Sequence, residues 1–395
     1  MSAASASRGS RWFVAAGVGF LVAFQAAALA GLPRTALAVL GVHGFVVHVL
    51  LGKANALVPT YFDRDLAFPR AAFLALPSTT LGAAALSLWA AGFAATAAVG
   101  AALWAAGVAV SLATLAWTIR GNLSGAATAT GEHNAHRRQV DRAANAAVPV
   151  ALAYLAAGTY ETVAAVTSLP TLAAAGLPGA VHLVAAGGAL VLLFAVGFRL
   201  LPRFLVASPP RALVAVVLPT GALAPALLVA GFGGGPLFHA GAALEAVAVA
   251  GFAGAYVALY ARSDRSRVGF HGVLAGVLSG VVGVLLGLGF ATGMLAPTAG
   301  RVLAHLRLNV LGLLGLSIVG VTYQFYPPTV GVFPGSDDRT ALASILLLAG
   351  GLWVEAGGRL TETGGVARLG VALGLVGALA YAYLVASAFR ARATK

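Results

Sequence analysis

Three histidines stand inside long apolar stretches of this sequence: His43 in "GVHGFVVHVL", His182 in "AVHLVAAGG" and His305 in "AHLRLNVLGLLG". Ionisable side chains are costly at membrane depth, and where they occur they line an interior site or cavity. A neutral imidazole offers a lone pair and is a common ligand for haem iron and copper. Three of them in comparable positions predict a cofactor site. Two other readings stay open: polar contacts between helices, and a transport pathway. Arg307 lies two residues beyond His305, about 200° around a helix, so the two cannot share a face.

His48 is a different case. It falls with Gly41, Gly44, Gly52 and Asn55 on one helical stripe,, about 140° from His43. Such a stripe favours close packing against a neighbouring helix, with His48 as a polar contact. His133 and His136 beside Glu132 have helical spacing, but Arg137, Arg138 and Arg142 crowd any cation there, so a solvated loop is expected. Glu161, Glu245 and Glu355 fall within or near apolar runs and could relay protons,. His239 and His271 sit at helix starts and are expected at an interface. No phosphate-binding glycine loop, zinc-protease helix or serine nucleophile elbow is present, and no catalytic residue can be named.

The elements carrying these residues follow from composition. The chain has 395 residues, 60% hydrophobic and 9% charged, where a soluble domain carries about 25% charged,. Its mean hydropathy is +0.94. Apolar runs of about 20 residues recur throughout, the length that crosses a bilayer as a helix. Breaks at charges, prolines and glycine clusters predict about twelve spans, near 12–32, 35–59, 71–93, 96–119, 146–168, 180–202, 211–231, 237–261, 268–294, 302–326, 340–358 and 365–389. The first is expected to be an anchor rather than a cleaved signal. The fold class is all-α, a polytopic membrane protein in one transmembrane domain over 1–395. With no cysteine, thiolate metal sites, thiol catalysis and disulfides are excluded,.

The net charge of +13 reflects topology rather than nucleic-acid binding. Of the 24 lysines and arginines, Lys53 and Arg307 lie inside spans. Arg34, Arg301, Arg359 and Arg368 fall on one side, and all the rest, down to Lys395, on the other. The positive-inside rule then places both termini in the cytoplasm of a cell-membrane protein. The second, sixth and tenth spans end alike, in "GKANALVP", "GFRLLP" and "GVTYQFYP". The sixth and tenth also begin alike, as Val181-His182-Leu183 and Ala304-His305-Leu306, with Gly197 and Gly320 fifteen residues after the histidine. Spans four apart that match predict three pseudo-repeated four-helix units, roughly 12–119, 146–261 and 268–389.

These residues resemble subunit I of the haem–copper oxidase superfamily, particularly its short NnrS-type relatives. That family has twelve helices in three arcs, with metal ligands on helices 2, 6, 7 and 10. Its tenth helix carries A-H-x-H, a glycine-rich middle and a G-x-x-x-W-F-P end, similar to "AHLRL" and "GVTYQFYP" here. Its second helix opens on H-G and closes on G-x-x-N-x-x-V-P, similar to His43-Gly44 and Gly52, Asn55, Val58 and Pro59.

The resemblance implies haem as cofactor, with His43 and His305 as axial ligands and His182 third, and an electron-transfer protein as partner. Two departures bear on activity. The second histidine of A-H-x-H is Arg307, which the resemblance places at the outer edge beside a haem propionate, or snorkelling to the interface. The seventh span, "RALVAVVLPTGALAPALLVAGF", holds no histidine, so copper and terminal-oxidase turnover are not expected. The expected function is a divergent haem-binding membrane protein with a redox or gas-responsive role; the alternatives are a secondary transporter and a cofactor-free scaffold.

Overall fold

The computed structural model describes residues 2–393, with side chains from 7 to 392; Lys395 lies outside them. Twelve of the described helices are long and apolar enough to cross a membrane. They are α1 (Ser7–Leu29), α2 (Arg34–Tyr61), α3 (Ala72–Ala90), α4 (Ala94–Ile119), α5 (Glu132–Ala164), α6 (Gly176–Phe204), α7 (Arg211–Ala230), α8 (Gly235–Ala261), α9 (Val268–Ala291), α10 (Ala299–Phe325), α11 (Asp338–Leu360) and α12 (Gly364–Arg392). No strand occurs among the described residues. An even number of crossings puts the start of α1 and the end of α12 on one side, called here the terminal side. The chain is a multi-pass, all-helical membrane protein whose outer surface keeps large apolar side chains such as Leu81, Leu285 and Leu346 exposed to lipid.

The fifth helix departs most from expectation. It begins at Glu132 as a 3-10 turn and runs as α-helix from Arg138, well before residue 146. The cause is internal pairing of its polar first turns. Asp141 accepts from Arg203 Nη2 at 2.6 Å and from Thr130 Oγ1 at 2.6 Å. Asn145 donates to the Tyr61 carbonyl at 2.8 Å, and Arg199 donates to the same carbonyl at 2.7 Å. Hydropathy alone treats such groups as solvated, yet here they bury one another. His133 and His136 are exposed in that 3-10 turn, where Glu132 pairs with Arg138 at 2.7 Å.

Helices α2, α6 and α10 form the centre. In their most apolar windows 89%, 67% and 67% of residues are buried, against 39–50% for the other nine. Each contains a π-helical segment, Val39–Val46, Leu183–Leu190 and Leu308–Leu316, and the three segments touch pairwise. Such extended π segments are rare and are frequent at functional sites. The glycine stripe of α2 packs on α1: a side chain at Gly44 would strike Phe20, and one at Gly52 would strike Phe13. His48 stays between them, its Nδ1 donating to the Gly44 carbonyl at 2.5 Å and its Nε2 bonded to Thr80 Oγ1 at 3.2 Å.

Helix α10 is seated on α9 by a glycine seam. Gly269, Gly272, Gly276, Gly280, Gly283 and Gly287 recur at three- and four-residue spacing along one face of α9,. A methyl group on Gly276 would lie 3.0 Å from the Ser317 backbone nitrogen, and one on Gly287 would lie 2.8 Å from the His305 ring. The seam therefore sets how close α10 can come, and it ends at His305.

Candidate functional site

His305 is fixed by this seam. Its Nδ1 lies 2.8 Å from the Gly283 carbonyl. A carbonyl only accepts, so the proton is on Nδ1 and the lone pair is on Nε2. Asn309 donates to the His305 carbonyl at 2.8 Å, one turn further along α10. His182 is held the same way by α6, Nδ1 donating to the Pro178 carbonyl at 2.8 Å. Among the described residues neither Nε2 has a hydrogen-bond partner. An imidazole whose other nitrogen is tied to a backbone carbonyl is oriented as metal-bound histidines are.

The two rings face each other with centroids 6.5 Å apart and planes 20° from parallel. They line a cavity of about 250 Å³ between α6, α7, α8, α9 and α10. Its walls are aliphatic and aromatic, with Phe232 5.4 Å from His182 and Phe290 5.9 Å from His305, ring to ring. Glu245 of α8 also lines it, its Oε2 buried without a hydrogen-bond partner among the described residues. Two free imidazole nitrogens and a carboxyl group in an apolar wall can each offer a lone pair or pass a proton. The donor chemistry fits an axial haem ligand at His305. The cavity is smaller than the 300–1,000 Å³ usual for ligand pockets, so a macrocycle requires side chains such as Phe232 and Phe290 to turn aside. Among the described residues, no three His, Cys, Asp or Glu side chains converge in a way that could hold a metal ion.

His43 does not share this cavity. It is fully buried and packs on Trp104 of α4 with ring centroids 4.9 Å apart. Its Nε2 lies 3.0 Å from Thr162 Oγ1 of α5, whose own proton goes to the Gly158 carbonyl at 2.7 Å. His43 must therefore donate from Nε2, which leaves Nδ1 as a buried lone pair without a partner. Of the two histidines expected first as haem ligands, His43 and His305, only His305 lines this cavity.

Arg307 corrects a second expectation. It is 1% exposed, not at an interface. Its carboxylate partner is internal: Nε and Nη2 both reach Glu355 Oε2 at 2.9 Å. Nη2 also donates to Gln25, and the guanidinium lies 4.4 Å over the Phe24 ring. Arg359 takes the other oxygen of Glu355 at 2.8 Å. Neither Gln25 nor the seam glycines of α9 stood out in the sequence as parts of a site. The three- and four-residue glycine spacing in α9 was a readable signal; Gln25 had none.

Over 97% of its length the chain superposes on one chain of a heme–copper terminal oxidase dimer solved by cryo-EM, with a TM-score of 0.60, 13% sequence identity and 84% of that chain covered. This chain has the haem–copper oxidase fold. No protein-family model matches it, and no curated protein matches it. Within the haem–copper oxidase fold, its three central helices are those on which His43, His182 and His305 were noted, but only His182 and His305 meet.

Proposed function

We propose that this protein binds haem in the cavity between α6 and α10, with a redox or gas-responsive role in the membrane. The observation that carries the reading is His305: proton fixed on Nδ1 by Gly283, Nε2 free, facing an apolar cavity across from His182. Haem would supply an iron for electron transfer or gas binding. The residues' own task would be to hold it: His305 and His182 would offer their free Nε2 atoms to the iron, and Phe232 and Phe290, turned aside to make room, would wall the group off from water. Arg307 stands where the resemblance puts the second histidine of A-H-x-H, and it is bound to Glu355. Helix α7 brings no imidazole, so copper is not part of this proposal. A redox role calls for an electron-transfer protein as partner.

The visible spectrum tests it. Protein expressed in a haem-replete host should show a Soret band that His305→Ala abolishes or shifts and His43→Ala leaves in place. A wild-type protein without that band refutes the proposal. A second reading, proton-coupled transport, rests on the unpartnered Oε2 of Glu245. It expects no Soret band and a solute or proton flux in proteoliposomes that Glu245→Gln abolishes.

A further inference from the structure

A second cavity system lies on the other side of the π segments and is independent of His305. Beyond Val39–Val46, Leu183–Leu190 and Leu308–Leu316, the three central helices, with Phe252 of α8 and Val273 of α9, line an axial cavity of about 100 Å³. Its far wall is formed by the last turn of each π segment, Val46, Ala189 and Leu314; its sides are aliphatic, as at Leu193, Val196 and Ile318. On the terminal side it meets a polar vestibule of about 320 Å³. Lys53, Leu57 and Phe325 line both, so they mark the junction.

Lys53 is the charged group at that junction. Its ammonium has three N–H donors, and one is used, to Tyr326 Oη at 3.1 Å. It sits 4.2 Å from the ring centroids of Phe325 and Tyr326. Among the described residues no carboxylate lies within 4 Å of it. An ammonium inside a span without a counter-ion is costly, and two aromatic faces offset only part of that. The vestibule adds Arg64 and Arg392 against one acid, Asp65. A cationic, polar head compartment thus continues into an apolar slot that runs along the helix axes toward the middle of the bundle. That is the division of a lipid-like molecule, in the orientation lipids take in a bilayer.

We propose that the vestibule and axial cavity bind a single-chain anionic amphiphile of the long-chain fatty carboxylate class. The carboxylate ion-pairs with Lys53, beside Arg392, and the acyl chain enters the slot between α2, α6 and α10. No covalent step is involved.

The test is equilibrium binding of radiolabelled palmitate to the purified full-length protein in a non-ionic detergent, with Lys53→Met, Lys53→Arg and Val196→Trp beside the wild type. Palmitate should bind the wild type at least about tenfold more tightly than hexadecanol, and Lys53→Met should lose about that factor while Lys53→Arg keeps most of it. Val196→Trp, which fills the slot, should weaken both ligands, and His305→Ala should bind as the wild type does. If Lys53→Met does not fold, the head-group series on the wild type and Val196→Trp decide the matter. The proposal fails if hexadecanol binds as well as palmitate, or if Lys53→Met leaves palmitate affinity unchanged. It fails equally if hexanoate or inorganic phosphate displaces palmitate at equal concentration, because the site would then recognise a free anion and not an acyl chain.

Discussion

Replacing Glu355 with glutamine should destabilise this protein more than replacing Arg359 in the same ion network. Glu355 is fully buried and receives Arg307 on one oxygen and Arg359 on the other, at 2.8–2.9 Å. Removing one partner from a buried pair costs about 3–5 kcal/mol, because the remaining charge is left uncompensated. The two arginines differ in what they can do next. The Arg359 side chain is 18% exposed and can swing out to water, whereas that of Arg307 is 1% exposed and cannot. Glu355→Gln should therefore lie within that range. Arg359→Ala, which leaves the Arg307–Glu355 pair intact, should cost about 1 kcal/mol or less, as partly exposed pairs do. The double replacement Arg307→Met with Glu355→Leu removes both buried charges and should fall closer to the wild type than Glu355→Gln alone. Equilibrium unfolding in mixed micelles, followed by tryptophan fluorescence, ranks the four proteins. A cost below 1 kcal/mol for Glu355→Gln, or one no larger than for Arg359→Ala, would refute the assignment of the strain to Arg307.

Arg307→His places an imidazole at the second ligand position of the resemblance, but Phe24 and Glu355 occupy that side, so no additional low-spin signal should appear in the visible or paramagnetic resonance spectrum. Gly320→Ala puts a methyl group 2.7 Å from the Val273 nitrogen and should cost about 1–3 kcal/mol of stability, while Gly350→Ala, which meets no neighbour within 4 Å, should be neutral or slightly stabilising in the same unfolding assay. Asp337 caps α11, and the Thr340 backbone N–H on Oδ1 at 2.8 Å holds its carboxyl below the usual carboxylate range. A depressed acid stabilises the fold above its unfolded value, about 3.9 for aspartate, and loses that contribution as pH falls through the folded value; the melting difference between wild type and Asp337→Ala should shrink below about pH 4. The charge distribution predicts that the loop between α4 and α5 is cytoplasmic, so Ser124→Cys, exposed in that loop, should resist an impermeant thiol reagent in intact cells and react after lysis.

The twelve crossings were legible because each is an apolar run closed by charges or prolines, and length plus hydropathy suffices for that. The start of α5 was not, since Asp141 and Asn145 read as solvated until Arg203 and the Tyr61 carbonyl are known to face them. The matching residues around His182 and His305 pointed to repeated four-helix units; in the structure those two rings lie with centroids 6.5 Å apart. His43 has a comparable depth and no such distinction in sequence. Which way it points depends on α4 and α5, and it stands within a π segment, where a count of 100° per residue no longer keeps helical phase. The partner of Arg307 lies 48 residues away in sequence; nothing local marks Glu355 as its acceptor, so an interfacial arginine was the reading that spacing allowed.

The glycine seam between α9 and α10 also shapes how such a chain can drift in evolution. A face made of hydrogen atoms has no rotamers, so the placement of His305 against α9 depends on backbone and on nothing that neighbouring substitutions can easily disturb. The lipid-facing shell is free to exchange one aliphatic residue for another without moving the imidazole, while the seam tolerates almost no change at all. A saturation-mutagenesis map of α9 should accordingly show intolerance recurring every three or four residues from 269 to 287, a periodic trace left on a helix that contributes no polar side chain of its own to the cavity.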